Sequence, residues 1–258
     1  MPVAELNPSV SPKIGTLREG ALHAQLKEWY RRPGDEIEKR LAGYVVDIVR
    51  GDLLIEIQTG GFAPLRRKLD LLTREHSVRV VAPVALERRI IRLSNEGEIL
   101  SARRSPRHGR VEDIFSRLVS IPALLCRPRL EIEVLLIEEE ELRVHQPGKA
   151  FRRRGWVVSG RSLSRVANCI RISGPEDAAA LLPSDLPESF DTAELAEAAA
   201  ITRRLAQQMT YCLRAMGVLE ITGSRRRAHL YQRTYSTGSR LASRRIEKVL
   251  RKSEARLA

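Results

Sequence analysis

Aromatic side chains make up only 4% of this 258-residue chain. With so few rings, any core must be packed mainly by aliphatic side chains, and the hydrophobic content of 43% is enough for one. Cysteine is equally sparse. Cys126, Cys169 and Cys212 are far apart and form no CxxC pair, which excludes a zinc ribbon or disulfide framework and reads as reduced core thiols. No run of about 18 apolar residues occurs, so a spanning helix is not expected. The first residues include an acid and lack the apolar stretch of a secretory signal. The expectation is a soluble, cytoplasmic protein with no membrane partner. Acids are also in short supply: 32 Asp and Glu against 45 Lys and Arg give a formal charge of +13. Such an excess points to a polyanionic partner, most often nucleic acid.

Residues 1–15 hold Pro2, Pro8 and Pro12 and few apolar side chains, so they are expected as a flexible arm. Leu22, Leu26 and Trp29 predict an apolar stripe on a helix from Leu17 to Tyr30. Thr16 is its expected N-cap, Glu19 stands in capping-box position, and Pro33-Gly34 stops it. A helix over Phe62–His76 with Leu65, Leu69 and Leu72 on one side, strands over Ser77–Ala85 and Glu87–Leu93, a helix over Val111–Leu125 and a strand over Leu130–Ile137 follow. Glu138–Glu141 reads as a solvated acidic edge. This order predicts an α/β fold with a mixed sheet flanked by helices across 16–150. A basic connecting segment is expected over 151–174, a small second domain over 175–234 and a basic tail over 235–258. Arg152, Arg153 and Arg154 with Trp156 are suited to clamp a nucleic-acid strand, or equally to form a basic turn leading into a strand. His108, His145 and His229 are isolated and read as surface residues.

The stretch GYVVDIVRGDLLIEIQTG, Gly43–Gly60, places two acids in strands otherwise made of Val, Ile and Leu. Gly51-Asp52 is a two-residue hairpin signal, so Arg50 should oppose Leu53 and Asp47 should oppose Glu56. Opposed residues on one sheet face lie about 5 Å apart at Cβ, where like charges are destabilising. A shared proton or a bridging hard cation such as Mg²⁺ would relieve that cost.

Asp47, eight intervening residues and then Glu56-Ile57-Gln58 resemble the metal-binding core of the PD-(D/E)XK (restriction-endonuclease-like) nuclease superfamily. The resemblance runs over residues 17 to about 140. It implies a Mg²⁺-dependent phosphodiester hydrolase acting on DNA, with Mn²⁺ able to substitute, in which Asp47, Glu56 and the Ile57 carbonyl hold the metal. Two positions depart from the family pattern. Val46 stands where a proline is usual, and Gln58 replaces the usual catalytic lysine. A cation from elsewhere is then required, with Lys68 on the following helix as first candidate and Lys27 as second. Glu19, at the start of a Glu19–His23–Lys27 stripe, fits the extra metal ligand supplied by a leading helix in this superfamily; Glu36 or Glu38 are alternatives. The resemblance also allows a degenerate, non-enzymatic DNA-binding regulator, or a nuclease directed at RNA.

Phe190–Arg233 resembles a winged helix-turn-helix. A helix over Thr192–Ala199 is followed by a turn at Ala200-Ile201 and a second helix capped by Thr202 and stopped by Gly217. A hairpin of Val218–Thr222 with Ala228–Gln232 completes the pattern. The resemblance implies that Thr202, Arg203, Arg204, Gln207 and Gln208 face the major groove of double-stranded DNA and that Arg225, Arg226 and Arg227 at the wing tip meet phosphates. A homodimer is compatible with cutting two strands.

Overall fold

In the computed structural model, residues 20–234 are described. Glu19, Thr16, the arm and the basic tail therefore lie outside the described residues. Helix α1 (Gly20–Tyr30) precedes three strands, β1 (Glu36–Leu41), β2 (Tyr44–Arg50) and β3 (Leu53–Ile57). Helix α2 (Arg66–Leu72) leads to β4 (Ser77–Leu93) and β5 (Ile99–Arg104). A short helix α3 (Phe115–Leu118) precedes β6 (Leu130–His145) and β7 (Trp156–Ile172). Seven strands form one sheet in the order β1-β2-β3-β4-β6-β7, with β5 on β4. It is mixed: β1–β2 and β2–β3 are antiparallel, whereas β3 and β4 are parallel across the α2 crossover. The α/β class expected from the sequence is therefore present.

After β7 come α4 (Pro175–Ala179), β8 (Ser189–Phe190), α5 (Thr192–Ala198), α6 (Arg203–Ala215), β9 (Leu219–Arg225) and β10 (Ala228–Arg233). The last three strands form a second sheet in the order β8-β10-β9. Asp191 caps α5 by accepting from Ala193 N and Glu194 N, and Glu194 reaches back to Asp191 N, a complete capping box.

The described residues divide into two compact units. One comprises 20–34, 83–110 and 135–169. Within it Leu22, Leu26 and Tyr30 are the buried residues of α1, and Gln25 Oε1 accepts from Leu163 N at 2.7 Å. Trp29, expected on the apolar stripe, is 42% exposed, because the buried face runs at 22, 26 and 30 instead. The other unit comprises 35–82, 111–134 and 170–234. There α6 packs on α3 and on the turn at Pro122–Cys126, and Cys212 Sγ donates to Phe115 O at 3.8 Å. The helices and hairpin after residue 175 belong to this unit.

Several local expectations are corrected. Residues 151–174 hold β7, an integral strand of the large sheet, and are not a connecting segment. Ser77–Leu93 is one continuous strand. The helix expected over Val111–Leu125 is broken into a 3-10 turn, α3 and a second 3-10 turn that Pro122 opens, a position where its missing N–H costs nothing. β1 was missed, its EIEKRL sequence showing no regular alternation. Glu139 and Glu141 are buried within β6, not a solvated edge, because arginines neutralise them: Arg88 Nε lies 2.6 Å from Glu139, and Arg143, Arg88 and Arg161 surround Glu141. Burial raises the Glu141 carboxyl, but those guanidiniums outweigh it and hold it below the ordinary range. Of the cysteines, only Cys212 is a core thiol; Cys126 is exposed and Cys169 half-buried.

Candidate active site

Strand β3 lies between β2 and β4, and Leu54, Ile55, Glu56 and Ile57 are all buried. Val, Ile and Leu in a strand covered on both faces form a near-continuous apolar run, so an acid in that run is the exception. The hairpin forms as its sequence dictates. Gly51 sits at φ +55°, a conformation glycine reaches without strain, and Arg50 pairs with Leu53. The ladder then runs through Val49–Leu54 to Ile48–Ile55. The ladder ends there, and the Asp47–Glu56 step expected from the sequence lies one position beyond it. At that step Ile57 N–H donates to Asp47 Oδ2 at 2.8 Å, so the carboxylate joins the two strands. Asp35, whose side chain is almost fully buried, holds the other end of β2 through two 2.8 Å bonds from Arg50.

Lys68, on α2, is buried and reaches the same point. Its ammonium donates to Val45 O at 2.5 Å and contacts Glu56 Oε1. The two side chains form a buried ion pair. Burial pushes the Glu56 carboxyl up to about 7; Lys68 opposes this, and the Asp47 charge adds to it. The site therefore combines a half-buried carboxylate, a buried carboxyl that changes charge near neutrality and an ammonium.

The structure thus brings together Asp47, Glu56, the Ile57 backbone and Lys68. Gln58 is not placed as a lysine substitute: its Nε2 donates to Gly61 O at 2.8 Å, shaping the loop before α2. The Gln58 backbone carbonyl accepts from Arg117 Nη1 at 3.2 Å, a cation that sequence reasoning missed. Lys27 lies on α1, in the unit that does not contain Asp47 and Glu56. Glu36 is exposed and paired with Lys39 at 2.8 Å. Among the described residues no group of three His, Cys, Asp or Glu is arranged as a metal cage. Two carboxylates nevertheless fit Mg²⁺, which usually binds through one or two carboxylates and completes its shell with water and substrate phosphate.

On α6, Thr202 caps the helix by accepting from Leu205 N at 3.2 Å. Arg203, Arg204 and Gln207 are exposed, whereas Gln208 is half-buried. Tyr211, 52% exposed, and Arg214 extend this face by one and two turns. Their i, i+4 and i+7 spacing from Gln207 is the signal that could have found them. The β9–β10 turn is Arg226-Arg227, with Arg226 at φ +57°. Arg225 lies within β9 and donates to Glu194 on α5 at 2.7 Å, so it ties the hairpin to the helices. Arg152, Arg153 and Arg154 are exposed between β6 and β7. No helix among the described residues is long and apolar enough to cross a membrane.

No solved structure matches the chain. An uncharacterized protein of Treponema pallidum (strain Nichols) is 30% identical over 185 residues, which cover 71% of this chain and 74% of that protein. Residues 20–173, from α1 through the end of β7, match the domain of unknown function DUF8091, and the chain belongs to that family.

Proposed function

We propose that the protein is a metal-dependent nuclease of restriction-endonuclease-like (PD-(D/E)XK) type that hydrolyses phosphodiester bonds in DNA. The observation that carries this reading is the convergence of Asp47, Glu56 and Lys68 at the end of a β-strand pair. Asp47 and Glu56, with the Ile57 carbonyl, would hold Mg²⁺, which lowers the pKa of a bound water and offsets charge on the scissile phosphate. Ile57 N–H fixes the Asp47 carboxylate. Lys68 takes the part that Gln58 cannot, because its ammonium offers positive charge to an anionic phosphate and its bond to Val45 O holds it there. Burial holds the Glu56 carboxyl up at about 7 in the metal-free site, and a bound cation would favour its charged form.

The α4–β10 region has the element order of a winged helix, with α6 in the place of the recognition helix. Arg203, Arg204, Gln207 and Tyr211 would meet the groove, and Arg226 and Arg227 the phosphate backbone. One observation favours a second reading, a non-enzymatic nucleic-acid-binding protein: the Lys68–Glu56 pair neutralises the buried acid without a metal. Cleavage of supercoiled, linear and single-stranded DNA with Mg²⁺ or Mn²⁺ separates the two. Cutting by the wild type that is lost in both Asp47→Asn and Glu56→Gln supports the nuclease. Binding without cutting under every metal condition supports the alternative.

A further inference from the structure

Of the four phenylalanines, Phe62, Phe115 and Phe190 are fully buried, whereas Phe151 is 96% exposed. It sits in the 3-10 turn Phe151–Arg153 at the tip of the hairpin joining β6 and β7. The tip is built, not frayed. Ala150 at φ +46° and Arg154 at φ +50° bracket the turn in a left-handed conformation that ordinary residues adopt only at a cost. Arg153 N and Arg154 N donate to Ala150 O and Phe151 O at 2.7 and 3.0 Å. Below it, Gln146 N donates to Gly155 O at 2.8 Å. Trp156 anchors the base, with the His145 ring edge-on at 5.3 Å and the Arg92 guanidinium 4.6 Å over its ring. Gly155 permits this packing, since a Cβ there would lie 2.5 Å from His145 Nε2. Trp156 is thus engaged within the protein, and the aromatic presented outward is Phe151.

Lys149, Arg152, Arg153 and Arg154 flank Phe151 in the sequence and are all exposed, and no acid occurs between Glu141 and Glu176. A projecting aromatic ring among cations is the combination that binds single strands, because every unpaired base offers a face for stacking and every linkage a phosphate. We propose that the β6–β7 tip binds single-stranded nucleic acid, with Phe151 stacked on an unpaired base and the flanking arginines on phosphates. This rests on the reading of the protein as one that handles nucleic acid, but not on its hydrolysing any.

Fluorescence anisotropy of labelled oligo-dT, oligo-U and a mixed-sequence duplex tests it on the full chain. Phe151→Ala should weaken single-strand binding about fivefold or more, the loss expected for one stacked base, while leaving the salt dependence unchanged. Phe151→Trp should restore binding, and its added emission should be quenched by the oligomer. The double variant Arg152→Ser/Arg153→Ser should lower the slope of log affinity against log salt by about 1.4, at 0.7 per single-strand phosphate. Wild-type affinity in Phe151→Ala would overturn the proposal, as would a loss confined to anionic phosphatidylserine vesicles. Oligo-dT binding should be the same with chelator present as with Mg²⁺, so a failure of the hydrolytic reading leaves this one standing. Cleavage that survives with no single-strand binding would sink this one alone.

Discussion

The Glu56 carboxyl makes stability depend on pH in a defined direction. It is buried, and its pKa rises from 4.5 to about 7 on folding, chiefly because burial disfavours the charged form. Between those values the folded chain keeps a proton that the unfolded chain has released. The associated stability is therefore fully present below pH 4.5 and lost as pH climbs through 7. At 1.36 kcal/mol per pH unit, the gap corresponds to about 3 kcal/mol. Glu56→Gln keeps the shape without the charge. In urea unfolding with chelator present, the variant should gain about 3 kcal/mol on the wild type between pH 4 and pH 8. Other titrating groups cancel in that difference. Parallel pH profiles for the two proteins, with equal m-values, would refute the assignment of a destabilised carboxylate at this site.

Lys68→Met should raise the Glu56 carboxyl further and destabilise by about 3 kcal/mol at pH 8, where the buried acid must either stay charged without a partner or take up a proton, and by much less at pH 5, where it is already protonated; urea midpoints at the two values check this. Asp47→Ala should cost about 1–3 kcal/mol by orphaning Ile57 N–H, whereas Asp47→Asn, able to accept the same bond, should stay near wild type by thermal unfolding. Arg226→Ser and Arg227→Ser should each lower the salt slope of duplex binding by about 0.9. Arg225→Ser should lower it less, because Arg225 is engaged by Glu194.

The hairpin was legible because its signals are local: Gly51-Asp52 between two β-branched runs fixes the turn, and the turn fixes the register from Arg50–Leu53 to Ile48–Ile55. Lys68 was legible only as one of two candidates, since a lysine's position on a helix does not tell where its ammonium ends. The buried acids of β6 were misread because the residues that neutralise them come from 88, 143 and 161, a long-range fact that the run of four glutamates conceals. FRRRG reads as a linker and masks β7, although the strand beyond that turn is 17 residues long. The C-terminal helices and hairpin were found nearly in place. Their packing against α3 through Cys212 and Phe115 was not, because no periodicity encodes which apolar face meets which.

The central claim is that Asp47 and Glu56 stand together because a divalent cation belongs between them. Titration of the protein with Mn²⁺ at pH 8, followed by the loss of the free-ion EPR signal, tests it most directly. The account predicts a site present in the wild type and absent in both Asp47→Asn and Glu56→Gln. Binding unchanged in both variants, or no binding in the wild type with or without added oligonucleotide, would contradict it.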